Sequence, residues 1–279
     1  MTIVPSQAVD RLLLDGYLKE LRLPTFARHY EAYAEDAAQT GQSYQRFLLA
    51  LAQQELTDRT HQRQLRRIKE AGLPHLKELQ DFNFSLVPSL SARRVIELSQ
   101  GGYLNQAEPI IMVGNPGLGK THLAISLALA ACRQQHRVRF YNVASLVNEL
   151  TAAQNAGRLQ RFLTTALRHQ LIVLDELGFI PFSPSAAQLI FQFCSALHER
   201  VALIITTNLK FADWTQVFGD ERLTLALLDR LTHHAHILEF VGESYRFRQR
   251  LQKEAPLEAE RPPVAPLPGS PPNGSAINA

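Results

Sequence analysis

The fold is decided by the stretch PIIMVGNPGLGKTHLAISLALAACR, residues 109–133. An apolar strand candidate, Ile110–Val113, is followed by the pattern GxxxxGK[ST] over residues 114–121 and then by a helical pattern from Thr121 to Arg133. A strand, a glycine-containing loop and a helix in this order are typical of a P-loop. The glycines let the backbone wrap so that its N–H groups point inward, and the helix N-terminus adds partial positive charge. We therefore predict a phosphate-binding site at this loop.

Individual residues of the loop have predicted roles toward ATP and Mg²⁺. We expect Lys120 to bridge the β- and γ-phosphates and the Thr121 hydroxyl to ligate Mg²⁺. The other residues predicted to contact the nucleotide are Gly114, Asn115, Pro116, Gly117, Leu118, Gly119 and His122.

Two polar strand ends complete the predicted site. The apolar run Leu171–Leu174 ends in Asp175 and Glu176. We expect Asp175 to hold Mg²⁺ through its waters and Glu176 to polarise the water that attacks the γ-phosphate. A later strand candidate is followed by Asn208, whose amide can reach the same water or the γ-phosphate. This pattern favours hydrolysis over transfer to a small acceptor.

Beyond Pro109, short β-rich runs alternate with helical segments. This alternation predicts an α/β fold in which helices cover both faces of a parallel five-stranded sheet, a three-layer sandwich. The predicted strands are Ile110–Val113, Val138–Val143, Leu171–Asp175, Ala202–Thr206 and His236–Phe240. The predicted helices between them are Thr121–Arg133, Leu146–Asn155, Leu159–His169, Pro184–Arg200 and Glu221–His233.

Composition and punctuation by proline and glycine divide the chain into four parts. Residues 1–75 show helical spacing of apolar residues and predict a small all-α N-terminal domain. Residues 76–108 form a connector, and residues 109–253 hold the ATPase pattern. Residues 254–279 contain 7 of the 15 prolines and predict a disordered tail.

The overall composition excludes several classes of protein. Of the 279 residues 46% are hydrophobic and 20% are charged, which rules out global disorder and fibrous structure. No apolar stretch reaches the roughly 20 residues that span a bilayer, and the N-terminus lacks the pattern of a secretion signal. The two cysteines, Cys132 and Cys194, fit a reducing compartment. We therefore expect a cytoplasmic protein without membrane association.

Taken together, the motifs resemble those of AAA+ ATPases and, among these, the IstB family of transposition helper ATPases, with the DnaC helicase loaders as close relatives. The resemblance implies an AAA+ P-loop fold and an ATP-dependent oligomer on duplex DNA. It also implies a partner, an insertion-sequence transposase that the protein delivers to target DNA. The segments that carry the resemblance are LKELRLPTFARHY (18–30), GNPGLGKTHLA (114–124), LIVLDELGFIPFS (171–183), LIITTN (203–208), LLDRLTHHAHILEF (227–240) and GESYRFR (242–248).

The resemblance further implies roles for arginines near the end of the ATPase segment. Arg230 corresponds to the arginine finger that completes the site of a neighbouring subunit, and Arg246 to a phosphate-sensing arginine. Arg222 is a rival finger, because it lies where the family usually has a small residue or proline. The alternative is that these arginines only pair with carboxylates.

A basic stripe is the clearest charged feature of the N-terminal domain. Arg59, Arg63, Arg66 and Arg67 fall at i, i+4, i+7 and i+8 of a predicted helix, and Lys69 follows. The formal net charge of +3 is too small to indicate nucleic acid by itself, and such a stripe is often only a solvated face. Together with the resemblance, however, the stripe predicts contact with the phosphates of duplex DNA, largely independent of base sequence.

Three other functions stay open at this point. A helicase loader of the DnaC kind shares the ATPase motifs and differs in its partner and in acting on single-stranded DNA. A small-molecule P-loop kinase requires an acceptor pocket and an arginine-rich lid, and no cluster of arginines separates the motifs. A nucleotide-gated scaffold binds ATP but does not need hydrolysis.

Overall fold

The computed structural model describes residues 5–242 and 244–245. Within these ranges no helix is both long enough and apolar enough to cross a membrane. Two predictions fall outside the described residues: the phosphate-sensing role of Arg246 and the Pro-rich tail at 254–279.

The described chain opens with three helices, α1 (Pro5–Glu20), α2 (Pro24–Thr40) and α3 (Tyr44–Ala71). The Ser43 side chain caps α3 by accepting a hydrogen bond from a backbone N–H of its first turn. Gly72 ends α3 in the left-handed conformation, with φ +67°. Helix α2 packs against both α1 and α3, which confirms an all-α N-terminal region.

The connector lies against the ATPase segment. It contains two single-turn 3₁₀ helices, Leu79–Asp81 and Phe84–Leu86, followed by α4 (Ala92–Ser99) and α5 (Gly102–Asn105). Phe82, Val87 and Leu90 of this segment are buried in the same apolar core as residues of the sheet.

The ATPase segment is built on a five-stranded sheet with the order β2-β3-β4-β1-β5, and every neighbouring pair is parallel. The strands are β1 (Ile110–Gly114), β2 (Val138–Asn142), β3 (Leu171–Leu177), β4 (Ala202–Thr207) and β5 (His236–Phe240). The helices are α6 (Lys120–Arg133), α7 (Val143–Asn155), α8 (Leu159–Ala166), α9 (Pro184–Leu197), α10 (Trp214–Phe218) and α11 (Glu221–Thr232).

The strands supply side chains to a core on each face of the sheet, because successive residues of a strand point to opposite faces. Ile110 and Met112 of β1 share one core with residues of α3, α4, α5 and α6. Ile111 shares the other core with residues of α7 to α11. The predicted three-layer arrangement with a parallel sheet is therefore confirmed.

Helix α3 continues beyond the N-terminal helices and docks on the ATPase segment, where it packs against α6 and β2. The Gln64 side chain donates a 2.8 Å hydrogen bond to the carbonyl of Arg133, and Ala71 is fully buried. The N-terminal helices and the sheet are thus joined through one continuous helix.

The observed ends of elements differ from the predicted ends for local reasons. Strand β2 ends at Asn142, not Val143, because the Asn142 side chain caps α7 by accepting a 3.1 Å hydrogen bond from the N–H of Ala144. Strand β3 continues past Asp175 to Leu177, with an irregular register against β4. Helices α8 and α9 end earlier than predicted, at Ala166 and Leu197.

Candidate active site

The sheet order brings the predicted catalytic segments to one edge. Strand β4 lies between β3 and β1, and all three run in the same direction. Their carboxyl ends therefore place the loop 114–121, the pair Asp175-Glu176 and Asn208 side by side, in the position where open parallel sheets bind ligands.

The loop after β1 requires glycine at positions where the backbone is left-handed and crowded. Gly114 has φ +151°, and a Cβ there would lie 2.2 Å from the carbonyl oxygen of Phe240. Gly119 has φ +90°, and a Cβ there would lie 2.9 Å from the ring of Phe82. Any larger residue at either position would have to displace backbone or an aromatic ring.

Lys120 is buried within the loop that precedes it, with 6% of its surface exposed. Its Nζ donates hydrogen bonds to the carbonyls of Gly114 at 2.6 Å and Asn115 at 2.8 Å. These bonds place the ammonium group inside the curve of the loop, where the sequence pattern predicts phosphate binding.

The predicted Mg²⁺ ligands are in direct contact. The Thr121 hydroxyl donates a 2.8 Å hydrogen bond to Oδ1 of Asp175, and the Thr206 hydroxyl donates to the same oxygen at 2.6 Å. Burial of Asp175 raises the pKa of its carboxyl group, and the bonds from Thr206 and Thr121 offset only part of that rise. The structure therefore brings together the hydroxyl and the carboxylate that the sequence predicts as one metal-binding pair.

Glu176 is held in an unusual conformation beside this pair. Its φ is +64°, which is left-handed and uncommon for a residue other than glycine. Its N–H donates a 2.9 Å hydrogen bond to the Thr206 hydroxyl, and its Oε2 accepts a 2.9 Å hydrogen bond from Nδ2 of Asn142. The side chain is exposed at the edge of the sheet, accessible to solvent and to a bound substrate.

Asn208 follows β4 directly and is half-buried. The preceding hydroxyl, that of Thr207, accepts a 3.1 Å hydrogen bond from the N–H of Leu209 and so fixes the turn that carries Asn208. Because β4 separates β1 from β3, Asn208 lies between the loop and the acidic pair, and its role toward water or phosphate stays a prediction.

The connector and the end of β5 enclose the loop from outside. His122 contacts the connector, with Nε2 3.1 Å from the carbonyl of Glu78 and its ring edge-on to Phe82 at 5.5 Å between centroids. The Ser89 hydroxyl donates to the carbonyl of Glu239 at 2.8 Å. The segment before β1 is thus tied to the segment after β5 next to the predicted nucleotide.

The structure places both finger candidates on α11. Arg230 is half-buried; it donates to the Ser195 hydroxyl, and its guanidinium lies 5.1 Å from the ring centroid of Phe191 on α9. Arg222 is exposed in the first turn of α11. Both roles in a neighbouring subunit stay predictions, as does that of Arg246, which lies outside the described residues.

The predicted basic stripe on α3 divides in two. Arg59, Arg63, Arg66 and Lys69 line one open groove of about 590 Å³ between α2 and α3. Arg67 is not among the groove residues; it is half-buried where α3 meets α6. The expectation of a single basic face therefore holds for four residues and not for Arg67, while contact with DNA stays a prediction.

Sequence reasoning missed Asn142 and Thr206, which hold Glu176 and Asp175. Both had a detectable signal. Asn142 is a polar residue at the end of a predicted strand, as are Asp175 and Asn208. Thr206 is a hydroxyl within an aliphatic strand, and a buried hydroxyl requires a hydrogen-bond partner.

The parallel sheet with its glycine-containing loop and acidic strand end defines a P-loop protein of the AAA+ class. The chain belongs to the family of IstB-like ATP binding proteins, whose family profile matches residues 16–253.

Individual relatives agree with this assignment. The chain is 36% identical over 239 residues to a Geobacillus stearothermophilus protein whose name describes it as an ATP-binding protein of insertion sequence IS5376; the match covers 85% of this chain and 95% of the relative. It is 37% identical over 238 residues to a similarly named protein of insertion sequence IS21 from Pseudomonas aeruginosa, covering 85% and 89%. Among solved structures, AMPPCP-bound DnaA from Aquifex aeolicus superposes with a TM-score of 0.52 at 18% identity, covering 69% of this chain and 58% of DnaA. That likeness shows the AAA+ fold alone.

Proposed function

We propose that this protein is a Mg²⁺-dependent ATPase that assembles with further copies of itself on duplex DNA and assists an insertion-sequence transposase. The observation that carries the ATPase part is the common edge of β1, β3 and β4. There Lys120, the bonded pair Thr121–Asp175 and Glu176 converge within one parallel sheet.

The residues present fit ATP and Mg²⁺. Mg²⁺ prefers oxygen ligands, and the Thr121 hydroxyl and the buried Asp175 carboxylate are 2.8 Å apart. When bound, the ion would neutralise charge on the β- and γ-phosphates. The loop would supply N–H groups and the Lys120 ammonium to the same phosphates. Glycine at 114 and 119 lets the loop backbone pass close to Phe240 and Phe82.

Glu176 is the group proposed to activate water. It is an exposed carboxylate directly after the buried Asp175, so it can accept a proton from a water that attacks the γ-phosphate. Asn208, directly after β4, would orient the same water or the phosphate oxygen. With Glu176 and Asn208 in these roles, the reaction is hydrolysis of ATP to ADP and phosphate.

Assembly is proposed because hydrolysis needs positive charge beside the γ-phosphate in the transition state. An arginine from a neighbouring copy would supply that charge, and Arg230 is the first candidate, with Arg222 as its rival. Hydrolysis would then depend on oligomerisation, which duplex DNA promotes by binding the basic residues of α3.

The transposase is proposed as partner on the basis of relatives. Two proteins at 36% and 37% identity over most of this chain carry the names of insertion sequences. The same relatives favour transposition over helicase loading. A cytoplasmic location belongs to this proposal, and the free cysteines Cys132 and Cys194 are compatible with it.

The test combines ATPase rate and assembly mass for purified protein with no DNA, duplex DNA or single-stranded DNA, each at two salt concentrations. We expect duplex DNA to raise both the rate and the mass, more strongly at low salt. Lys120→Ala should abolish hydrolysis by removing phosphate binding. The partner is tested by co-purification and strand-transfer assays with the transposase encoded next to this gene.

Each contrary outcome has a distinct meaning. Turnover by a monomer that is indifferent to DNA contradicts the assembly mechanism. Stimulation by single-stranded DNA alone, with no response to the transposase, supports a helicase loader instead. Full support of transposition by Glu176→Gln would show that ATP hydrolysis is incidental, as in a nucleotide-gated scaffold.

A further inference from the structure

The groove between α2 and α3 is a concave surface lined largely by charged residues. It has a volume of about 590 Å³. Its charged lining residues are five basic and two acidic: Arg28, Arg59, Arg63, Arg66, Lys69, Glu55 and Asp58. These residues fall into two groups. A buried, hydrogen-bonded group forms the floor of the groove, and an exposed group forms its rim.

The floor is a buried polar network centred on Glu55, which is 4% exposed. The Thr25 N–H, in the first turn of α2, donates a 2.9 Å hydrogen bond to Oε2 of Glu55. Nε of Arg59 donates a 2.6 Å hydrogen bond to Oε1, and the same guanidinium donates to the carbonyl of Arg22. Arg59 therefore neutralises Glu55 and ties the start of α2 to α3, so its charge is not available to an external anion.

Asp58 accepts hydrogen bonds from two neutral donors besides its ion pair with Arg28. Its carboxylate accepts hydrogen bonds from the Thr25 hydroxyl at 3.0 Å and from Nε2 of Gln54 at 3.0 Å. Arg28 lies 3.3 Å from the same carboxylate, but its side chain is 63% exposed. An exposed pair of this kind contributes little, so Arg28 can turn to another anion at small cost.

The rim on α3 carries cations with weak partners or none. No hydrogen-bond or ion-pair partner occurs for the side chains of Arg63 or Lys69 within residues 5–242 and 244–245. Arg66 has one long contact, 3.8 Å to Glu70, and both side chains are exposed. Three exposed positive charges thus stand along one side of the groove.

We infer that this groove binds the sugar-phosphate backbone of one strand of duplex DNA, with Arg63, Arg66 and Lys69 on one wall and Arg28 on the other. This inference rests on the proposed DNA-binding function and names its site. Arg59 is assigned a positioning role, as the residue that fixes the distance between the two walls through Glu55.

The spacing of the cations fits this ligand. Residues 63 and 69 of a helix are roughly 9 Å apart along its axis, so the three cations of the wall can face successive phosphates of one strand. The side chains on the rim are mainly charged, and Gln62 is the one amide among the residues that line the groove. Such a surface binds backbone and does not read bases.

The test measures affinity for a fluorescent duplex as a function of salt, using full-length protein with ATP and Mg²⁺. Arg63→Ala, Arg66→Ala, Lys69→Ala and Arg28→Ala should each weaken binding by about 3–10-fold and reduce the slope of log K against log salt by about 0.9. Arg46→Ala is the matched control, because Arg46 is exposed on α3 but does not line the groove. It should bind like wild type.

The variant Arg59→Ala distinguishes the proposed positioning role of Arg59 from direct contact with a phosphate. It should lower the melting temperature of the protein and weaken binding while keeping the wild-type salt slope, because no phosphate contact is lost. The four contact variants should keep the wild-type melting temperature and ATP affinity, which shows that they are folded.

The outcomes distinguish this inference from the function on which it rests. If wild-type protein does not bind duplex DNA at all, the proposed function fails. If wild type binds and the four contact variants bind with unchanged affinity and slope, the groove is not the site and the inference is overturned. A groove that serves an acidic protein partner would give this second result, with reduced binding of the transposase instead.

Discussion

Nδ2 of Asn142 donates a 2.9 Å hydrogen bond to Oε2 of Glu176, linking the end of β2 to the residue proposed to activate water. The two strands are neighbours, and Asn142 pairs in register with Asp175. One oxygen of the Glu176 carboxylate is therefore already engaged. A carboxylate that already accepts a hydrogen bond from an amide is a weaker acceptor for the proton of a water.

This relationship predicts that Asn142→Ser raises ATP hydrolysis measured without DNA. Loss of a hydrogen bond to a charged group corresponds to about 1.5 kcal/mol, or roughly 10-fold in rate. Serine is chosen because it can still cap α7, a role that alanine would lose. The rate with duplex DNA should change less, so the stimulation ratio falls.

Steady-state phosphate release with and without duplex DNA measures this effect. The double variant Asn142→Ser/Glu176→Gln is the control and should have no activity. An unchanged rate for Asn142→Ser would show that the bond does not restrain Glu176.

A second prediction concerns Asp175→Asn, which should abolish hydrolysis while leaving the fold intact or more stable. Asparagine keeps an oxygen that can accept the bonds from Thr121 and Thr206, but it lacks the charge that holds Mg²⁺. We expect a loss of about 100-fold or more in rate, as for other groups that stabilise transition-state charge.

The stability effect has a definite pH dependence. Burial raises the pKa of the Asp175 carboxyl above its value in the unfolded chain. The folded state of the wild type is therefore penalised once the pH exceeds the unfolded pKa, and asparagine removes that penalty. In the absence of nucleotide, the melting temperature of the variant should equal or exceed that of wild type at neutral pH, and the difference should vanish below about pH 4. A large decrease at neutral pH would contradict this reasoning.

Part of this site could be predicted from residue order, and part could not. The acidic pair that begins at Asp175 was predictable because a buried parallel strand is an aliphatic run, and its first polar residue marks the edge of the sheet. Neighbours across the sheet were not predictable, since order along the chain does not state that β4 lies between β3 and β1. For that reason Asn142 and Thr206 escaped notice although each touches a predicted residue.

The prediction of the basic stripe was incomplete for the same reason, since the sequence does not show which residues are neighbours in space. Helical spacing correctly groups Arg59, Arg63 and Arg66 on one side of α3, but only packing reveals which side meets α6. Arg67 is close in angle to the others and lies at that contact. Likewise, the sequence does not reveal that Arg59 is bound to the buried Glu55 rather than exposed to an anion.

A third prediction concerns this buried carboxylate. Burial raises the pKa of Glu55, but the hydrogen bonds from Arg59 and Thr25 outweigh it and leave the pKa below its ordinary value. Glu55 therefore stabilises the fold above the unfolded pKa, near 4.3, and this contribution is lost as the pH falls through the lower folded value. Glu55→Gln should weaken the packing of α2 on α3 by about 1.5–3 kcal/mol at neutral pH.

Hydrogen exchange of α2 amides, followed as a function of pH, measures this contribution locally. The wild type should lose protection between about pH 4.3 and lower values, whereas Glu55→Gln should show a flatter profile. Glu35→Gln is the matched control, because Glu35 is exposed on α2. Equal profiles for wild type and Glu55→Gln would mean that the carboxylate does not hold the two helices together.

A final prediction tests whether Arg230 acts on a neighbouring subunit. Within its own chain it is bonded to Ser195 and lies over Phe191, on the side of α9 and not at the loop of Lys120. If it completes the site of another copy, Arg230→Ala alone should lose about 1,000-fold in hydrolysis rate yet still bind ATP. Glu176→Gln should also be inactive, for the different reason that its own water is not activated.

Mixing the two inactive variants makes the outcome specific. In a mixed ring, half of the sites retain Glu176 and half of their neighbours retain Arg230, so about a quarter of the wild-type rate should return. The same mixture made with Arg222→Ala identifies the rival arginine if that pair, and not the first, recovers activity. If neither mixture recovers, the arginines act within their own subunit or only in packing, because complementation requires that the two lost groups lie on opposite sides of one shared site.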